Sequence, residues 1–192
     1  LCANTEVRAE LAASRREGET DKAWLVELEH HSGKLDVLAY AREADLDFGV
    51  GQTNGAERGR RKIGADARYN ITGSWSVAGS AWHDVSLVDP AKRDALQLRS
   101  ELRGTRTDAR LAFTTFADRL RDGTKASSTL LEAGMTQRFF DNRLELDAST
   151  SLPLSRTDSI DLPARHRLSA RYAVSSDIKL VGSYELANGD AI

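Results

Sequence analysis

His83 and Asp84 are the neighbours in this 192-residue chain best suited to acid–base work, because an imidazole oriented by a carboxylate can activate a water or a serine hydroxyl. They close a run of alternating polar and apolar residues, however, and adjacent residues of a strand point to opposite faces. Cooperation between them would require a bulge, and no nucleophile can be named beside them. His30 and His31 fail as a metal pair for the same reason. The glycines of residues 49–55, GVGQTNG, lack the Gly-Lys-Ser/Thr ending of a phosphate loop and read as a loop. Cys2 is the single cysteine, so no internal disulfide can form. The sequence therefore predicts no catalytic, metal or cofactor-binding residue and no enzyme.

The elements that carry these residues are more informative. In residues 94–103, DALQLRSELR, Leu96, Leu98, Ser100 and Leu102 share one parity, while Gln97, Arg99, Glu101 and Arg103 share the other. A strand separates two such sets onto opposite faces, whereas a helix would smear the charges round its axis. Eleven runs follow this rule, starting near Glu6, Ala23, Leu35, Arg61, Ser74, Asp94, Thr107, Ser128, Arg143, Arg165 and Ile178. No position assigned to the outward parity is Asp, Glu, Lys or Arg, although 29% of the chain is charged.

That deficit points to a face that cannot tolerate charge. Val26, Leu28, Val37, Leu96, Leu98, Leu111, Phe113, Leu131, Leu144, Leu146, Leu168 and Leu180 are expected to face lipid. Arg68, Arg99, Glu101, Arg103, Arg110, Glu132, Glu145, Asp147, Arg167, Arg171, Lys179 and Glu185 are expected to line a wet lumen. The fold class predicted is all-β: an antiparallel up-and-down transmembrane β-barrel, of which eleven strands are present.

Connection lengths give a direction. Short turns are expected at residues 31–34, 71–73, 104–106, 140–142 and 175–177, and longer segments at 17–22, 43–60, 84–93, 119–126 and 153–164. Outer-membrane barrels keep short turns in the periplasm and long loops outside the cell. Tyr69, Trp75, Phe139 and Tyr172 near the short turns, with Trp24, Tyr184 and Trp82 towards the longer segments, would form two aromatic girdles. An odd strand number is foreign to a closed bacterial barrel. Residues 1–192 are thus expected to be a single barrel segment truncated at both ends, with no internal domain boundary.

Composition sets limits. A mean hydropathy of −0.46 suits a barrel, which gives only alternate residues to lipid, and no stretch approaches the roughly 18 apolar residues of a membrane helix. A net charge of −2 and a pI near 6.1 argue against nucleic acid as a partner.

The segment from Phe48 to Trp82 resembles a hairpin in the C-terminal barrels of large proteobacterial surface proteins, porin-like and associated with the OmpA family. Their pattern is a Gly- and Gln-rich loop, a strand of the form RKxGxDxRY, a short turn and a Trp-bearing strand; Arg61, Lys62, Gly64, Asp66, Arg68, Tyr69 and Trp75 match it. Residues 143–149 and 162–192 are similar in style to the closing hairpins of that family. The resemblance implies the outer membrane of a Gram-negative bacterium, with outer-membrane lipid and the barrel-assembly machinery as partners and extracellular or periplasmic domains on the same parent chain. It implies a membrane anchor for a surface-exposed protein. A porin-like diffusion channel for small polar solutes is the alternative; a soluble β-sandwich adhesin and a barrel enzyme rank lower.

Overall fold

The computed structural model describes residues 4–16, 18–49, 58–154 and 164–188. Eleven strands follow one another: β1 Thr5–Arg16, β2 Glu19–His31, β3 Leu35–Ala44, β4 Arg60–Asn70, β5 Trp75–Ser86, β6 Lys92–Arg103, β7 Thr107–Arg119, β8 Lys125–Phe139, β9 Leu144–Pro153, β10 Ala164–Ala173 and β11 Lys179–Asn188. They form one sheet in sequence order, β1 to β11. The pairings of β1 with β2, β2 with β3, β3 with β4, β8 with β9, β9 with β10 and β10 with β11 are antiparallel, and the architecture is an all-β up-and-down meander. Among the described residues β1 and β11 stand at the two ends of the order and are not paired with each other, so the described sheet is not closed into a barrel. No helix among the described residues is long and apolar enough to cross a membrane.

The registers test the parities assigned strand by strand. Val7 pairs with Leu28, Leu28 with Ala39 and Val37 with Ala67; on the other face Arg8 pairs with Glu27, Glu27 with Tyr40 and Arg42 with Lys62. Further along, Met135 pairs with Ala148 and Leu168 with Tyr184, whereas Arg138 pairs with Glu145 and Arg167 with Glu185. A slip of one residue at any of these pairings would have mixed the two sets. The sheet thus has an apolar face and a charged face throughout these pairings. Through β4 to β8 side-chain contacts keep the same division: Arg60 to Asp84 and Gln97 to Thr114 on the charged face, Trp75 to Ser100 and Thr115 to Thr129 on the apolar one.

Strand ends and connections depart from the expectation. Residues 17–22 were expected to be a long connection, but Arg16 pairs with Glu19 and only residues 17 and 18 intervene, with Gly18 at φ 95°. The connections at 87–91 and 120–124 are likewise shorter than expected. Polar residues such as Glu19 and Lys125 carry no alternation signal, yet backbone groups continue the ladder through them. The chain reverses at one end of the strands through residues 32–34, 71–74, 104–106, 140–143 and 174–178, hereafter the turn end, and at the other through 17–18, 45–59, 87–91, 120–124 and 154–163, the loop end. Only 45–59 and 154–163 stand out in length, and much of each lies outside the described residues.

Two compact units emerge: one of residues 1–69, 78–96 and 116–127, the other of residues 70–77, 97–115 and 128–192. Among the described residues neither shows an ordinary hydrophobic core. Among the described residues only Phe48 and Ala112 are buried apolar side chains, at 4% and 8% exposure.

Candidate functional site: two faces of one sheet

The apolar face presents large side chains to the outside. Leu11 is 81% exposed, Leu98 51% and Leu168 56%, and Val26, Leu28, Leu96, Leu111, Leu146 and Leu180 are exposed as well. Val37, Phe113, Leu131 and Leu144 share the face but are half-covered by neighbours. Val181 is the departure: an exposed valine whose register partner is Arg171 of the charged face.

At the turn end the apolar face is aromatic. The Trp75 indole N–H donates to the Ser100 hydroxyl at 2.9 Å, and the Phe139 and Phe140 rings lie 6.4 Å apart. Phe140, Asp141 and Asn142 all have φ between 51° and 67°, a left-handed turn closed by the Arg143 N–H on the Phe140 carbonyl at 3.1 Å. Asp and Asn tolerate that conformation because their short side chains bond locally; Phe140 adopts it at a cost.

On the charged face the second unit carries a row of ion pairs. Glu101 holds Arg103 at 2.9 Å and Arg99 at 3.5 Å. Arg138 joins Asp108 to Glu145, and Glu145 also takes Arg171 at 3.5 Å. The Thr136 hydroxyl donates to Asp147 at 2.9 Å. Arg110 lies across Gly134, where a Cβ would stand 2.8 Å from its Nε. The remaining expected residues take their places by register: Arg68 opposite Asp36, Glu132 opposite Ser151, Arg167 opposite Glu185 and Lys179 opposite Ala173. Arg138, which bridges two carboxylates, is absent from the set chosen by sequence. Its parity matched the others, and only its place at a strand end concealed it.

In the first unit the charged face carries a cluster that sequence reasoning missed. The Lys62 ammonium sits 4.5 Å from the Trp82 ring centroid and 5.8 Å from that of Tyr40, and Arg42 lies 5.8 Å from Tyr40 on its own side. Trp82 tilts against Phe116 at 6.4 Å, and Arg93 covers Phe116 at 5.4 Å. Cations and rings therefore alternate across β3 to β7, each drawn to a π face. Gly64 makes room: a Cβ there would lie 2.6 Å from the Tyr40 Oη and 2.8 Å from the Trp82 Cβ. A Cβ on Gly182, by contrast, would meet nothing within 4 Å.

The histidines resolve into separate pairs. His83 contacts Asp94 on the apolar face, while Asp84 accepts from Arg60 at 2.7 Å on the charged face, so the adjacent base and carboxylate do not cooperate. His30 shares a hydrogen bond with Thr5 at 2.9 Å, and His31 faces the other way, towards Asp36 at 3.1 Å and Glu29 at 3.6 Å. No group of three or more metal-ligating side chains occurs among the described residues. Cys2 lies outside the described residues.

Searches against family models, curated proteins and solved structures find no match to this chain.

Proposed function

We propose that the chain is the wall of an outer-membrane β-barrel and serves to anchor a surface-exposed protein. One observation carries this reading: large apolar side chains such as Leu11, Leu98 and Leu168 stand exposed along one face, while ion pairs such as Glu101 with Arg103 and Glu145 with Arg171 lie on the other. In water such a face would drive association, since monomeric proteins rarely expose apolar patches above a few hundred Å². In a bilayer it meets its proper solvent, and the strands are long enough to cross when tilted. Alternation of lipid-facing and polar positions is the arrangement such walls require.

Aromatic rings at the turn end fit the headgroup level of one leaflet. The resemblance of residues 48–82 to proteobacterial surface-protein barrels supports a Gram-negative outer membrane, with the loop end outside the cell and the barrel-assembly machinery as the folding partner.

The anchor is favoured over the diffusion channel because the charged face is filled by paired ions and by the Tyr40, Lys62, Trp82 and Phe116 cluster. The test is to fold the protein into a planar bilayer, confirm a barrel by heat-modifiable gel mobility, and record conductance. A folded barrel without current is expected. Stable ohmic steps would establish the channel instead, and failure to enter lipid would return the chain to soluble β proteins.

A further inference from the structure

The charges on the apolar face are not distributed like those of ordinary solvated strand ends. Among the described strand residues its basic ones are Arg15, Lys22, Arg61, Lys92, Arg119 and Lys125, and its acidic ones Glu43 and Asp94. Every one lies near the loop end, in the first unit. At the turn end the same face carries Tyr69, Trp75, Phe139 and Tyr172 and, among the described strand residues, no Asp, Glu, Lys or Arg. Strand ends that merely met water would be charged at both.

Both carboxylates are already used. Glu43 is paired with Arg61, and Asp94 with His83. What remains, once Arg61 is set aside with Glu43, is a basic band of Arg15, Lys22, Lys92, Arg119 and Lys125. Within it the Arg119 Nε is buried without a hydrogen-bond partner, although buried guanidinium donors are rarely left so.

Resting on the membrane reading above, we infer that this band is a binding surface for phosphate-bearing lipid headgroups of the leaflet at the loop end. The site's position fits that occupant. It sits where the apolar face stops, at the depth where a headgroup begins, and long basic side chains reach such a level while their stems stay on apolar surface. Charge complementarity selects an anionic headgroup over a zwitterionic one, and arginine forks match phosphate geometry.

The experiment compares spin-labelled phosphatidic acid with spin-labelled phosphatidylcholine around the protein folded in phosphatidylcholine bilayers. The anionic label should be preferred, with a preference that shrinks at high salt. Lys92→Gln and Lys125→Gln should each reduce it by up to about fivefold, the effect of one basic residue close to a charged membrane surface. Lys34→Gln, in a turn at the opposite end, should leave it unchanged. Equal association of both labels, or the same loss in Lys34→Gln as in Lys92→Gln, would overturn the proposal while leaving the membrane reading intact. A protein that enters no bilayer would remove both.

Discussion

The phenol of Tyr40 covers Gly64 from the adjacent strand, so that a Cβ on Gly64 would come within 2.6 Å of the Tyr40 hydroxyl and 2.8 Å of the Trp82 Cβ. Neither ring can retreat easily, because Lys62 and Phe116 hold them from the other sides. Gly64→Ala is therefore expected to destabilise the fold by about 1–3 kcal/mol, the usual cost of overpacking. Gly182→Ala meets open space and should stabilise by about 0.5 kcal/mol through reduced backbone freedom. Urea titrations of both variants in lipid vesicles make the comparison; equal effects would show that the close approach does not constrain the sheet.

Leu98 and Leu146 sit in the middle of apolar rows, and Gln97 is on the charged face beside Thr114. Leu98→Arg and Leu146→Arg should each cost about 2–4 kcal/mol in a bilayer, as charges at its midplane do. Gln97→Arg should be nearly neutral. Similar losses at all three positions, measured by folding efficiency into vesicles, would contradict the assignment of faces.

Ser100 accepts the Trp75 indole N–H at the turn end. Ser100→Ala should cost about 0.5–1.5 kcal/mol, the worth of one hydrogen bond. Trp75 should also be quenched by brominated lipid labelled near the headgroup more than by lipid labelled at the chain terminus. Stronger quenching from the chain terminus would place the ring away from the interface.

In the loop-end connections the backbone N–H of Ala91 donates to Asp89 and that of Thr124 to Asp122, and these bonds hold both carboxyls below the usual carboxylate range. A lowered folded-state pKa means that the stabilisation is complete above the ordinary carboxylate value and fades as pH falls through the depressed one. Amide exchange at Ala91 and Thr124 should therefore speed up, beyond its intrinsic pH trend, only at strongly acidic pH. Asp89→Asn should abolish that step at Ala91 and leave it at Thr124.

An epitope tag inserted between Gly51 and Gly59 should bind antibody on intact cells, and one inserted at Gly73 should not. The reverse pattern would invert the orientation.

Strand number and face were legible because each rests on a period-two pattern of residue type. Leu96, Leu98 and Leu102 against Arg99, Glu101 and Arg103 needs no tertiary information. Strand ends were less legible, since Glu19 and Lys125 extend the ladder by backbone bonds to which side-chain chemistry is blind. The cation and ring cluster was missed for another reason. Tyr40 and Gly64 become neighbours only through the β3 and β4 register across residues 45–59, a connection too long for its ends to be paired from sequence alone. Had the register been available, an aromatic residue opposite a glycine would have been the signal.

Each strand of the meander bonds only to the strands before and after it in the chain, with no crossover. Search is therefore cheap during folding: a growing sheet always finds its next strand already tethered a few residues away, except across 45–59 and 154–163, where loop closure costs more entropy. Hairpins are the natural increments of assembly, and those two connections are where a kinetic pause would fall.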